Sequence, residues 1–109
     1  MKIIDTGLIV EAQSGTGRAC VSFGTITTLH NNGLLATCRV GVDKDGDDEQ
    51  IEFIRSKDNG QTWDEPKKPF PITNVGGKFG TLKLCYLTEL SPDHVLTGAM
   101  WVDRTTHPG

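Results

Sequence analysis

No apolar run in this chain approaches the length of about 18 residues that a membrane-spanning helix needs. Nor is there a surplus of positive charge. Eleven Lys and Arg stand against fourteen Asp and Glu, a net charge of -3, which argues against a nucleic-acid partner. Cysteine is sparse at three residues, an odd number. That disfavours a disulfide scaffold and suits a reducing compartment. The cysteines, Cys20, Cys38 and Cys85, lack metal-ligand spacing and sit in apolar segments, as small core residues do. Residues 1–5 are too short an apolar stretch for a secretory leader, and Asp5 interrupts them, so a cytoplasmic setting is expected. Helical periodicity is missing too: no segment repeats apolar residues at helical spacing between two caps. With 109 residues, the chain has room for one small domain.

What is present is punctuation. Thirteen glycines and five prolines divide the chain into short β-rich segments. Strands are expected over 2–11, 19–30, 34–40, 49–55 and 61–64. The last fades into a Pro-rich stretch, 65–71, that belongs on a sheet edge. Asn31-Asn32-Gly33 and Asp58-Asn59-Gly60 are tight-turn signals, because Asn and Gly tolerate positive φ. An acidic loop, 43–48, joins two strands. Then the pattern restarts: Lys78-Phe79-Gly80-Thr81 echoes Ser22-Phe23-Gly24-Thr25, followed by strands over 82–90 and 94–102 around Ser91-Pro92-Asp93. A weak all-β repeat of about 55 residues points to propeller blades. Leu34, Leu35, Ala36 and Cys38 leave no clean solvent side, as in a strand covered on both faces.

Ser56-Lys57-Asp58-Asn59-Gly60-Gln61-Thr62-Trp63 fits the pattern Ser-x-Asp-x-Gly-x-Thr-Trp. Asp58 and Ser56 can bond the backbone of the turn, Gly60 supplies a positive φ, and Trp63 can bury roughly 200 Å² beneath the hairpin. By this motif, called the Asp-box or bacterial neuraminidase repeat, the chain resembles the sialidase-like β-propellers. The resemblance is best over residues 18–66 and extends to 79–104. It implies an all-β antiparallel fold in a single domain, 1–109: an N-terminal strand (1–12), a four-stranded blade (18–71) and a partial second blade (78–106). In the family the motif sits on the rim, away from the chemistry, so Ser56, Asp58, Gly60, Thr62 and Trp63 are expected to be structural.

Sialidases clamp a carboxylate with three arginines and use an Asp acid/base and a Tyr–Glu nucleophile. The resemblance implies Arg18 as the first arginine, although Ala19-Cys20 replaces the usual Ile-Pro, and Arg39 as the second. Asp45, among Asp43, Asp45, Asp47 and Asp48, is the nominal acid/base. Arg104, beside Trp101 at the end of the second pair of strands, is a further candidate for the same mouth. Each has a bland alternative: Arg18 in a solvated loop, Arg39 as an ordinary strand-end arginine, the acids as a solvated turn, Trp101 packed between blades. Tyr86 is the only tyrosine, and its place inside a strand favours a core role.

A calcium loop fits poorly. Counted from Gly41, Gly46 and Glu52 fall at loop positions six and twelve, but position one lacks its Asp and the flanks are strands. His30, His94 and His107 lie at turns or in the tail with no nucleophile near, so no triad, metal or cofactor is expected. Seven strands make less than two blades, and a propeller closes with about four to eight. Self-association is therefore expected, a trimer above all, with residues 2–10 completing a neighbour's blade. The function expected is non-catalytic binding of a glycan or carboxylate at the ring axis. The alternative is a sialidase-type glycoside hydrolase active through a composite or longer-chain site.

Overall fold

The computed structural model describes residues 2–31, 33–70 and 74–109. All of its regular structure is β, in two antiparallel three-stranded sheets, with no helix among the described residues. Sheet 1 contains β1 (Cys20–Thr28), β2 (Leu34–Gly41) and β3 (Gln50–Ser56) in that order. Sheet 2 contains β4 (Asn74–Val75), β5 (Lys78–Ser91) and β6 (His94–Asp103), likewise in chain order. No helix among these residues is long and apolar enough to cross a membrane.

β2 forms the spine of sheet 1, and Ala36 to Gly41 are buried without interruption. Successive side chains in a strand face opposite ways, so β2 serves two packing layers at once. On one face Cys38, Val40 and Ile54 form a core, closed by Val10, Val21 and Trp63. Burial there pushes the Cys38 thiol up to about 11, with nearby Glu52 adding to the effect and Arg18 opposing it. On the other face, β5 of sheet 2 crosses sheet 1. The hydroxyls of Thr25 and Thr37 approach the Cys85 carbonyl at 3.0 and 3.2 Å and each other at 2.6 Å. Thr81, Lys83 and Cys85 alternate along β5 and are all buried against sheet 1. All three cysteines are free thiols.

The structure departs from the strand expectations in four places. Residues 2–10 form no strand and make no ladder pairs; Ile3, Ile4 and Leu8 are largely exposed, and Val10 packs on the core. The expected fourth strand, 61–64, does not form either. Instead Phe53 and Lys67 make an isolated bridge with bonds of 2.7 and 2.9 Å, and Phe70 meets Phe53 edge-on. With Pro66 and Pro69 flanking it, this segment cannot supply a continuous row of ladder donors. β4 is a two-residue strand that the sequence did not signal. Tyr86 is not a core residue: it is 62% exposed, on the face of sheet 2 turned away from sheet 1. Asn32 of the first turn and Pro71 of the Pro-rich stretch lie outside the described residues.

Local chemistry accounts for two sharp features. At Gly80 an added Cβ would lie 2.2 Å from the Trp101 ring, so only glycine admits that aromatic across the β5–β6 pair. After β3, the 56–63 loop is tied by its own side chains. Ser56 Oγ accepts from the Gly60 amide at 2.8 Å and donates to Asp58 Oδ1 at 2.8 Å. Asp58 accepts from the amide and hydroxyl of Thr62 at 2.8 and 2.5 Å. Asn59 and Gly60 take φ of 59° and 90°.

The bonds from Thr62, together with that from Ser56, pull the Asp58 carboxyl down to about 2. The folded carboxyl thus releases its proton more readily than the unfolded one, whose value is about 3.9. The stabilisation is complete above pH 4 and disappears as pH falls towards 2. In urea unfolding measured from pH 5 to 2, the wild-type midpoint should drop more steeply than that of Asp58→Asn. Parallel curves would show that the loop carboxylate adds nothing to stability.

Candidate functional site

Where β2, β5 and the segment after β6 meet at one end of the sheets, three charged side chains converge on a single buried carboxylate. Glu49, immediately before β3, is fully buried. Its oxygens lie 3.3 Å from Arg39 Nε, 2.9 to 3.0 Å from Lys83 Nζ and 3.3 Å from Arg104 Nη2; Thr81 Oγ1 donates at 3.3 Å. An isolated carboxylate at such a position would be prohibitively costly, and the three cations offset that cost. Asp45 joins from the exposed side, 3.0 Å from Lys83 Nζ. Three cations therefore ion-pair with two carboxylates. Asp43 and Asp48 add negative charge nearby, their carboxylates accepting from the Asp45 and Val42 amides of their own loop.

Each cation is held in place by further contacts. Arg39 pairs across the ladder with Ser22, and the β1–β2 register slips between Ser22 and Thr25. At this bulge Phe23 adopts φ 52°, a conformation unusual for a bulky residue. Its ring thereby lies 4.3 Å from the Arg39 guanidinium carbon. Arg39 Nη2 also donates to the Lys44 carbonyl at 2.5 Å, which ties the acidic loop to the sheet. Arg104 uses every arm: Nε to Thr81 Oγ1 at 3.2 Å, Nη1 to the His107 carbonyl at 3.3 Å, and Nη2 to the Asp45 carbonyl at 3.1 Å and to Glu49. The Lys83 ammonium, bonded to Asp45, holds that carboxyl below the ordinary carboxylate range.

Of the expected site residues, Arg39, Arg104 and Asp45 are brought together here. Arg18 is not among them. It lies in the turn before β1 and ion-pairs with Glu52. Glu52 pairs across the ladder with Cys38, whereas Arg39 pairs with Ile51, so the two arginines serve opposite faces of sheet 1. The contact with Glu52 raises the Arg18 pKa. The second oxygen of Glu52 is buried with no hydrogen-bond partner.

Sequence reasoning missed Glu49, Lys83 and Thr81. A signal for the last two existed: Thr81 and Lys83 occupy alternate positions in the stretch 79–87, whose other residues are apolar or glycine save Tyr86, and alternation turns both to one face. Among the described residues no group of three or more His, Cys, Asp or Glu side chains is placed to hold a metal ion. No family model matches the chain, and no curated protein or solved structure matches it.

Replacing Glu49 by Gln leaves three cations around a neutral amide. The expected loss is about 3 kcal/mol, at the lower end for removing one partner of a buried charge pair. Urea denaturation of the two proteins at pH 7 measures it. A change below about 1 kcal/mol would mean that the cations find other partners and that Glu49 does not hold the sheets together.

Proposed function

We propose that the chain is a non-catalytic β-propeller module that binds an acidic glycan or a related carboxylate at the Arg39–Lys83–Arg104 cluster. The reading is supported chiefly by the convergence of these three cations at one place. Two of their present partners are replaceable. The Asp45 side chain is 72% exposed, and the His107 carbonyl belongs to an exposed tail. A ligand carboxylate would take those positions on Lys83 and Arg104, leaving Glu49 beneath. Arginine's fork suits such bidentate recognition. The hydrolase alternative asks Asp45 to carry a proton at neutral pH, as a general acid must. Lys83 has the opposite effect on that carboxyl, which favours binding over catalysis.

One substitution separates the two readings. Asp45→Asn removes the competing anion from Lys83 at an exposed position. Binding of N-acetylneuraminate, followed by NMR titration, should tighten a few-fold in the variant. Turnover of a fluorogenic sialoside by the wild type, lost in Asp45→Asn, would overturn the binding reading.

Assembly from several copies belongs to the same proposal, a trimer first. Its support lies in the apolar surface at both ends of the sheet stack. Leu90, Leu96 and Met100 are exposed on sheet 2, and Ile3, Ile4 and Leu8 along the N-terminal segment. β6 has a free edge on which an extended segment from a second copy could pair. Light scattering should report about three times the chain mass, falling to one chain when residues 1–12 are deleted. An unchanged mass after the deletion would exclude strand exchange through that segment.

A further inference from the structure

Arg55 sits near the end of β3, six residues from Glu49 and so about 20 Å from it along an extended strand. Its side chain has no hydrogen-bond or ion-pair partner among the described residues, and its Nε is buried without an acceptor. Buried guanidinium donors are rarely left unpaired, since losing water without gaining an acceptor costs more for a charged group than for a neutral one. Leu35, the ladder partner of Arg55, shares its face. Both line a groove of about 530 Å³ on the outer rim of sheet 1. Leu35, Phe53 and Pro69 supply its apolar lining, and Lys57, Lys67 and Lys68 add positive charge beside Arg55. Two acids border it, Asp64 and Glu65. Asp64 lies 3.8 Å from Lys57, so Glu65 is the acid left to Lys67 and Lys68, while Arg55 also borders Glu89 and Asp93 on the side turned towards sheet 2.

The backbone holds the groove open. Lys67 exchanges both main-chain hydrogen bonds with Phe53, and the Asp64 amide donates to the Arg55 carbonyl at 2.7 Å. These bonds fix the lysine-bearing segment beside β3 while leaving the side chains of Lys67 and Lys68 exposed. An apolar lining with a few convergent polar groups is the usual composition of a small-molecule site. Here the convergent groups are cations, and one already has a desolvated donor without an acceptor.

We infer that this groove is a second binding site, specific for a small organic oxyanion. A carboxylate, sulfate or phosphate group would accept from Arg55, and the body of the ligand would lie on Leu35, Phe53 and Pro69. The site does not depend on the Arg39–Arg104 cluster.

The test is an NMR titration of the whole chain that follows the Arg55 Nε–Hε resonance, with inorganic phosphate, inorganic sulfate and phenyl phosphate as probes. Sodium chloride at matched ionic strength is the control. The expected result is a saturable shift, with phenyl phosphate binding at least several-fold more tightly than inorganic phosphate because of the apolar lining. Equal affinity for the two phosphates would overturn the specificity for an organic anion, because the apolar lining would then contribute nothing. A shift that does not saturate, or that chloride reproduces, would overturn the proposal. Arg55→Gln should abolish binding. Since that variant risks the fold, Lys67→Gln/Lys68→Gln, altered at exposed positions, should weaken binding several-fold with an unchanged backbone spectrum; an unchanged affinity in this double variant would likewise count against the site. Asp45→Asn should leave this titration as it is, which tells a failure here from a failure at the other cluster.

Discussion

One buried carboxylate joins the two sheets. Glu49 belongs to sheet 1, yet two of its three cations, Lys83 and Arg104, and the hydroxyl of Thr81 come from sheet 2 or the turn that follows it. A charge removed from water can be tolerated only where its partners are held at short range. The requirement fixes the depth and angle at which β5 crosses sheet 1 more stringently than apolar contact would, because hydrophobic burial has no direction. The Thr25 and Thr37 hydroxyls on the Cys85 carbonyl secure the middle of the same crossing. At the far end, Glu89 of sheet 2 accepts from the His30 amide, with its two oxygens 3.0 and 2.9 Å away. Three polar contacts spaced along β5 thus set its register against the first sheet.

Much of the remaining design serves that carboxylate. The bulge in β1 places Phe23 over Arg39, and Arg39 in turn holds the acidic loop through the Lys44 carbonyl. Arg104 ties the tail to the same loop. Asp103, one residue earlier, is bonded by Lys78 and Thr106, and these contacts keep its carboxyl far below the ordinary range. The region rich in acids is therefore a fastened corner in which nearly every charge has a partner. On the other face of sheet 1, Arg18 and Glu52 form a separate pair beside an apolar core. The two faces share strands but no charges, so each can change with little effect on the other.

How legible this was depended on whether a feature is local. The 56–63 loop is encoded almost entirely by its own residues. Ser56, Asp58 and Thr62 find their partners within four positions, and Gly60 provides the φ that the turn needs. The hairpins were readable from alternating apolar runs and turn residues for the same reason. Residues 2–10 were not: a run of Ile, Leu and Val has strand propensity, but a strand exists only when another pairs with it. The expected strand over 61–64 misled in the same direction: it does not form, and the Pro-rich segment after it gives a single bridge. Tyr86 shows the limit of periodicity, which puts a residue on a face of the sheet without saying whether that face is covered.

By itself the sequence determined that this chain is built from β-hairpins, where they turn, and which residues tie the 56–63 loop. Those outcomes follow from φ preferences, alternation and hydrogen bonds spanning a few residues. Only the tertiary structure decided that Arg39 and Arg104 share Glu49 while Arg18 turns away to Glu52, that Lys83 completes the cluster, and that Arg55 has no partner. The reason is physical. These relations join residues up to 55 positions apart through the crossing of two sheets, and which partner a buried charge meets depends on that crossing, which no local pattern encodes.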